Sequence, residues 1–554
     1  MRSLLLAAVI AAWCCLQPPA SALASADIHF LDAFASMPEP EARSFAASIH
    51  YPPESPEKPQ PPASLKWVEP LPDSLFPPDI ASPLFWWVAA EKPAAWKITV
   101  YAEDEPLFSV LTRSGHWIPT AGQWGAMQSR AANGQDAALR VCVASVGGWD
   151  GRTIEGEASL RIVFSPDPIG AKIFFLRKPV PFAVGQAHPE LTQWLLADPA
   201  QPGEAALVMD GLPVCGNCHA FASGGSVLGM DVDIDGDKGN YMLIRDKDRA
   251  TVAREDLVSW NDRPTPAGAP YSFGLFTALS PSGRYAVSTV GEHSLFVSLD
   301  DKAFSQLFYP VTGFIGVYDV DEARHANLAG AADERCVQTS PAFSPDGRTV
   351  AFSRAPIDPT LLKAVTSGQV RAEPHSASIF ELNEKYPFRF DIWTVPFNEG
   401  RGGEPSPLQG ASDNGMSNYF ARYSPDGEWI VFTQSPTGLV LQPFSRLMIV
   451  PAAGGNAEPL AGNVEGMNSW HSWSPNGRWL VFAGKSRSPV TELFLTHIDE
   501  QGQSSPSIRL FRYSSESMAA MVPEFVPESF ADLRSIRFGF HLDGSRQSKS
   551  GNIR

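Results

Sequence analysis

Ala342-Phe-Ser-Pro-Asp-Gly-Arg-Thr-Val-Ala-Phe352 is the stretch that decides the fold. Pro345 fixes one φ, Asp346 closes the turn, and Gly347 accepts the positive φ that completes it. The residues that follow alternate in and out, as in a strand packed between neighbouring sheets. The unit recurs as Ala278-Leu-Ser-Pro-Ser-Gly-Arg-Tyr-Ala-Val-Ser288, Arg422-Tyr-Ser-Pro-Asp-Gly-Glu-Trp-Ile-Val-Phe432 and Ser472-Trp-Ser-Pro-Asn-Gly-Arg-Trp-Leu-Val-Phe482. The turn serines stand at 280, 344, 424 and 474, so 50 to 80 residues separate successive units. Blades of four short strands fit such periods, with the excess in loops. Two degenerate units complete the set, one running from Cys218 to Met230 and one around Met521 to Val526. The expectation is an all-β chain with a six-bladed β-propeller, seven blades being the alternative, whose first and last units close the ring.

Upstream the composition changes. Residues 1–26 read as a cleaved signal peptide: Arg2 is the positive start, Leu4 to Leu16 the apolar core, and Ala22-Leu-Ala24 or Ala24-Ser-Ala26 the cleavage site. The apolar run is too short to span a bilayer, and no later stretch reaches about 18 apolar residues. Trp13 before Cys14 and Cys15 argues against lipidation. Residues 27–82 form an N-terminal segment, rich in proline from Tyr51 onward, that reads as a tether or a surface-draped stretch. Residues 83–182 hold several short alternating runs, including Trp96 to Tyr101 and Leu139 to Val143, and read as a small β-sandwich. Trp86, Trp96, Trp117 and Trp124 are read there as core residues in preference to a sugar platform. Residues 183–207 read as a linker, 208–545 as the propeller, and 546–554 as a disordered tail.

Residues 215–219 read Cys-Gly-Asn-Cys-His. Two thiols separated by two residues match the vinyl groups of a porphyrin, and a histidine directly after them reaches the iron. The reading is one covalent haem c, with thioethers at Cys215 and Cys218 and His219 as proximal iron ligand. A zinc site would need a second ligand pair, and no other closely spaced Cys/His pair exists in the mature chain. A thioredoxin-type dithiol would open a helix after a buried strand, which Gly211-Leu-Pro-Val214 does not suggest. Cys142 reads as a small buried hydrophobe.

The Ser-Pro-Asp-Gly units resemble the propeller repeats of TolB. Together with Cys215-Gly-Asn-Cys-His219, Leu228-Gly-Met-Asp-Val-Asp233, Asp237-Lys-Gly-Asn-Tyr241 and Met467-Asn-Ser-Trp-His-Ser-Trp473, they resemble a narrower group of exported TolB-like cytochrome c proteins. That group is distantly similar to the propeller-bearing α subunit of hydrazine synthase. The resemblance covers roughly residues 160–530 and implies a six-bladed propeller with attached haem. It does not imply hydrazine synthesis, because that α subunit carries two haems and works with partner subunits, whereas this chain has one attachment motif.

The distal side of the iron determines what such a haem does: a methionine or histidine closes it for electron transfer, and an open position admits small ligands. His471, Met416 and Met467 are the principal distal candidates, with Met230 and His293 behind them. Met230 lies 11 residues past His219, on what reads as a strand of the same unit. Arg177 and Lys178 precede the haem unit and read as linker charges within reach of haem propionates. The acids Asp231, Asp233 and Asp235 ahead of Gly236 resemble the start of a calcium loop, but position twelve is Met242 and the simpler reading is a hairpin turn.

The chain has 43 basic and 60 acidic residues and a formal charge of −17, which argues against nucleic acid and an anionic membrane surface as partners. No P-loop, dinucleotide fingerprint or nucleophile elbow occurs in a fitting context. Three functions follow: an exported monohaem cytochrome serving a periplasmic redox or assembly partner, a haem enzyme with an open distal site, and a non-catalytic TolB-like scaffold. The expected location is the periplasm or the exterior.

Overall fold

The computed structural model describes residues 27–32, 36–50, 65–132, 137–147, 152–245, 249–265, 271–297, 307–370 and 378–542. The signal-peptide reading, the proline-rich stretch 51–64 and the tail 546–554 lie outside them. The chain divides into two compact units, one of residues 1–68, 85–117 and 129–162, the other of residues 69–84, 118–128 and 163–554. No helix among the described residues is long and apolar enough to cross a membrane.

In the first unit a mixed sheet runs in the order Asp27–Phe30, Glu105–Thr112, Ala95–Ala102, Ala138–Gly147, Thr153–Phe164, with Asp27–Phe30 parallel to its neighbour. A short second sheet joins Lys66–Glu69, Phe85–Val88 and His116–Trp117. Aromatic rings join the two: Trp87 meets Trp96 at 5.6 Å and Trp117 meets Phe108 at 6.2 Å, edge to face. Of the four tryptophans singled out in the sequence, Trp96, Trp117 and Trp124 are buried as core residues, and Trp86 is half-buried. Residues 27–50 are not a tether throughout, since they supply this strand and the helix Glu39–Ser48.

Among the described residues the second unit contains six four-stranded sheets. Each is antiparallel throughout, and the four repeat turns close theirs in the same way. Ser344 N donates to Thr349 O at 2.9 Å, the Ser344 hydroxyl accepts from Thr349 N at 3.0 Å, and Gly347, at φ +70°, donates back to Ser344 O. The serine thus satisfies backbone groups that a tight turn would otherwise leave unpaired. Ser280, Ser424 and Ser474 repeat the pattern. At the haem motif Ala222 keeps the backbone bonds of the turn, to Val227 and from Gly225, without the hydroxyl.

We number the sheets from that motif. Blade one is Gly216–Phe221, Leu228–Ile234, Asp237–Ile244 and Leu257–Ser259, from the axis outward. Blades two to five begin at the axis with Leu275–Leu279, Cys336–Phe343, Ser417–Tyr423 and Met467–Trp473. Blade six is composite: the C-terminal strand Met518–Phe525 lies innermost, and Ile173–Pro179, Gln193–Ala197 and Ala206–Met209 lie outside it. Each innermost strand contacts the next, and the last contacts the first, so the sheets form a closed ring.

This closure corrects the domain boundaries read from sequence. Ile173–Pro179 belongs to the ring and not to the sandwich, and residues 183–207 are not a linker. One strand from the C-terminus cannot make a sheet, so the ring draws its three partners from the other end of the repeat region. Segment 69–84 also belongs with the ring. Glu69 takes a bidentate pair from Arg509, at 3.0 and 2.6 Å, while the third guanidinium nitrogen of Arg509 bonds Glu492 at 2.7 Å.

Two insertions roof one end of the axis. The second blade's hairpin, Tyr285–Val297 with Leu307–Asp319, is extended, and its Phe308 O accepts from Val440 N of blade four at 3.1 Å. Helices Pro359–Thr366 and Ser378–Lys385 leave blade three and bury Leu361, Val365 and Ile379 against Leu295, Tyr309 and Leu439.

Arg509 holds two carboxylates that are themselves buried. Arg509→Ala should therefore cost about 3–5 kcal/mol, because Glu492 loses its ion-pair partner and Glu69 is left with Arg487 alone. Urea denaturation of the variant against wild type measures it, and a loss under 1 kcal/mol contradicts the reading.

Candidate functional site at the propeller axis

All six innermost strands carry a bulge at the same position, four residues before the turn serine or its equivalent. The residues there are Cys218, Phe276, Ser340, Phe420, Trp470 and Val522. The last five have φ between +38° and +59°, a region that costs a non-glycine residue about 1–2 kcal/mol. The bulges turn the strands about the axis and line a channel with about 590 Å3 of empty space, counted to its open mouth. Phe276 and Phe420 meet edge to face at 5.0 Å, and Phe276 meets Phe308 of the roof at 6.1 Å, so this level is largely aromatic.

Next along the strands come His219 and His471, which occupy equivalent positions in blades one and five. Each lies beside a carbonyl of the second strand of the preceding blade, Phe174 for His219 and Val431 for His471. Their bonding differs. His471 Nε2–H donates to Val431 O at 3.0 Å, leaving Nδ1 unpartnered. In His219 neither ring nitrogen has a hydrogen-bond partner, although the residue is only 3 % exposed. The ring instead meets Phe174 edge to face at 4.7 Å. Burial lowers the pKa of each imidazole to about 3, opposed by the carbonyl beside it, Phe174 for His219 and Val431 for His471, and helped by the nearby Arg422 charge. Both rings are neutral at ordinary pH, and a neutral imidazole with a bare nitrogen is a metal ligand in waiting.

Cys218 lines the channel beside His219. Its thiol is pushed up to about 12 by burial, helped by Asp231 and opposed by Lys178 and Arg422. Cys215 stands just before the strand and its carbonyl accepts from Asp233 N at 2.8 Å. Between them Gly216 lies under the Trp194 ring, and a Cβ there would come within 2.5 Å of it. Lys178 donates to Asn217 inside the motif at 2.6 Å, and Arg177 donates to Tyr513 O at 3.1 Å. The two are therefore residues of blade six rather than linker charges. Cys215, Cys218, Cys142 and Cys336 are all free thiols.

The remaining candidates disperse. Met467 is buried among Tyr419, Phe420 and Leu441 toward the roof, and Met416 is half-buried before its strand, its N–H bonded to Asn414. Neither lines the channel, and nor does His293. Met230 stands directly across from His219 and shares its face of the sheet, fully buried in the core between blades one and six. Asp231, Asp233 and Asp235 do not come together as a calcium loop. Asp231 is buried near Cys218, whereas Asp235 sits in a hairpin turn and pairs with Arg254 at 2.8 Å. Among the described residues no group of three or more His, Cys, Asp or Glu side chains is placed to hold a metal ion.

Sequence reading missed two channel residues, Arg422 and Glu524, which stand two before the turn position of blades four and six. Glu524 accepts from Phe221 N at 3.1 Å, and burial raises its carboxyl to about 7 against the opposing charge of Arg422. Counting back from the turn serine Ser424 finds Arg422, whereas Glu524 precedes Val526, where no turn serine marks the position.

No protein-family model matches the chain, and no curated protein matches it. Among solved structures it is similar to TolB from Acinetobacter baumannii, at 13 % identity and TM-score 0.38, over 71 % of this chain and 80 % of that one. It is also similar to Kuenenia stuttgartiensis hydrazine synthase, at 14 % identity and TM-score 0.29, over 56 % of this chain and 75 % of that one. The architecture, a closed ring of four-stranded sheets, rests on the strand pairing given above.

Because the folded pKa of His471 lies below its unfolded value of 6.5, its neutral form supports the fold above pH 6.5, and that support is lost as pH falls toward 3. The raised carboxyls of Glu292 and Glu524 act oppositely: their contribution is complete below 4.5 and lost as pH rises through 7. His471→Gln keeps a donor for Val431 O and removes the titration. Wild type should therefore lose stability relative to the variant by up to about 1.4 kcal/mol per pH unit below 6.5, read from urea midpoints at pH 7, 6, 5 and 4. Parallel curves contradict a buried neutral His471.

Proposed function

We propose that this chain is an exported c-type cytochrome built on a propeller, with one haem bonded to Cys215 and Cys218 and His219 as its axial ligand. The observation that carries the reading is the contrast between two equivalent histidines. His471 holds a well-formed hydrogen bond to a carbonyl, whereas neither nitrogen of His219 reaches hydrogen-bond geometry with the Phe174 carbonyl beside it. An unsatisfied buried imidazole costs about 1–3 kcal/mol unless something completes it. The donor set fits the group: two thiols not tied up in a disulfide, one neutral imidazole without a partner, and an adjoining channel.

The haem supplies a one-electron iron couple. The chain's own residues orient and shield it: Phe174 braces the His219 ring, and Gly216 lets the motif pass beneath Trp194. The role is electron transfer, or service as the redox module of a periplasmic complex. The charge of −17 suits docking on a basic partner. A second reading, a haem with an open distal position that binds a small ligand, is favoured by one observation. Met416 and Met467 stand off the channel, and His471 already has a partner.

Expression in a host with cytochrome c maturation tests the proposal. The purified protein should show a c-type pyridine haemochrome spectrum and the mass of one haem above the polypeptide. A colourless product of bare polypeptide mass sinks the redox account and leaves the scaffold. A carbon monoxide shift of the reduced protein selects the open-site reading, and its absence selects electron transfer.

A further inference from the structure

Arg422 is the channel residue that neither the fold nor the haem motif explains. Blades one to three hold alanine at its position, Ala220, Ala278 and Ala342. Its guanidinium makes no hydrogen bond and no ion pair with any described residue, yet its charge acts on Cys218, His219, Tyr241, His471 and Glu524. It is half-buried on the channel lining. An unpaired guanidinium facing a partly enclosed space favours an anion there.

Glu524 does not meet it, because its carboxylate is turned to Phe221 N and stands beyond ion-pair distance. Other polar atoms at the channel also lack partners: both nitrogens of His219, Nδ1 of His471 and Nε1 of Trp470. The serine and threonine hydroxyls nearest them are engaged, Ser472 by Phe525 N at 3.2 Å and Thr277 with Gly274 O at 3.0 Å. The channel therefore has an unpaired guanidinium at its charged level, unpartnered imidazole nitrogens beside it, and the flat faces of Phe276, Phe420 and Trp470 at its aromatic level.

We propose that the axial channel binds a carboxylate carried on a flat apolar body, with Arg422 as the fork that receives it. The guanidinium matches a carboxylate with two parallel N–H···O bonds. Glu524 disfavours a doubly charged anion such as phosphate in the same space. The carboxylate has two sources, a propionate of the attached haem or a free aromatic acid. The first rests on the redox reading above; the second is independent of it.

Calorimetric titration of benzoate and of neutral benzamide into the purified protein separates them. If the site takes a free acid, benzoate binds at least tenfold more tightly than benzamide. Arg422→Gln abolishes the difference, and Glu524→Gln tightens benzoate by removing the like charge. If a propionate already fills the fork, benzoate gives no heat. In that case Arg422→Gln makes the reduction potential pH-dependent where wild type is flat, since the released propionate then titrates. The proposal is overturned if benzoate and benzamide bind alike, or not at all, and the potential of Arg422→Gln follows wild type at every pH. The benzoate comparison in wild type and Glu524→Gln stands even if Arg422→Gln does not fold, and it decides the matter on a colourless protein too.

Discussion

The pairing of Met518–Phe525 with Ile173–Pro179 is the constraint on which the axis depends. A propeller has no exposed sheet edge at the ring only if its ends meet, and here they meet through one C-terminal strand completing three strands from the other side of the repeats. The same pairing fixes Phe174 beside His219 and brings Glu524 to Phe221 N. Closing the ring and building the site are one event.

The axial bulges put non-glycine residues, a β-branched valine among them, into left-handed backbone at five equivalent positions. Such conformations persist only where the surrounding sheets over-determine them. They set a layered interior. An aromatic level lies under the roof, the two histidines come next, and Arg422 and Glu524 stand beyond. Sixfold repetition of backbone with side chains that vary from blade to blade lets one architecture present thiol, imidazole, guanidinium and carboxyl groups to a single space. Unrelated chemistry is commonly grafted on one fold in this way.

The blades were legible because Ser-Pro-Asp-Gly is turn chemistry with a local cause, visible in the bonds of Ser344 and its equivalents. Cys215-Gly-Asn-Cys-His219 stands out for a related reason, since its spacing is the one that covalent attachment of a haem would require. Blade six was not. Ile173–Pro179 has no turn signature of its own and becomes a blade strand only through a partner some 340 residues away, a pairing no local pattern encodes. Met416 and Met467 were chosen by residue type, and packing against the roof and its approach decided against them. Arg422 was hidden in a repeat whose other members carry alanine or serine there, so its meaning appears only when the ring brings the positions together.

Tandem mass spectrometry of the peptide spanning residues 215–219, from protein matured in a competent host, tests the central claim most directly. The account predicts that Cys215 and Cys218 both carry one shared porphyrin through thioether bonds. Unmodified thiols at both positions, in protein that folds with its ring closed, would contradict it.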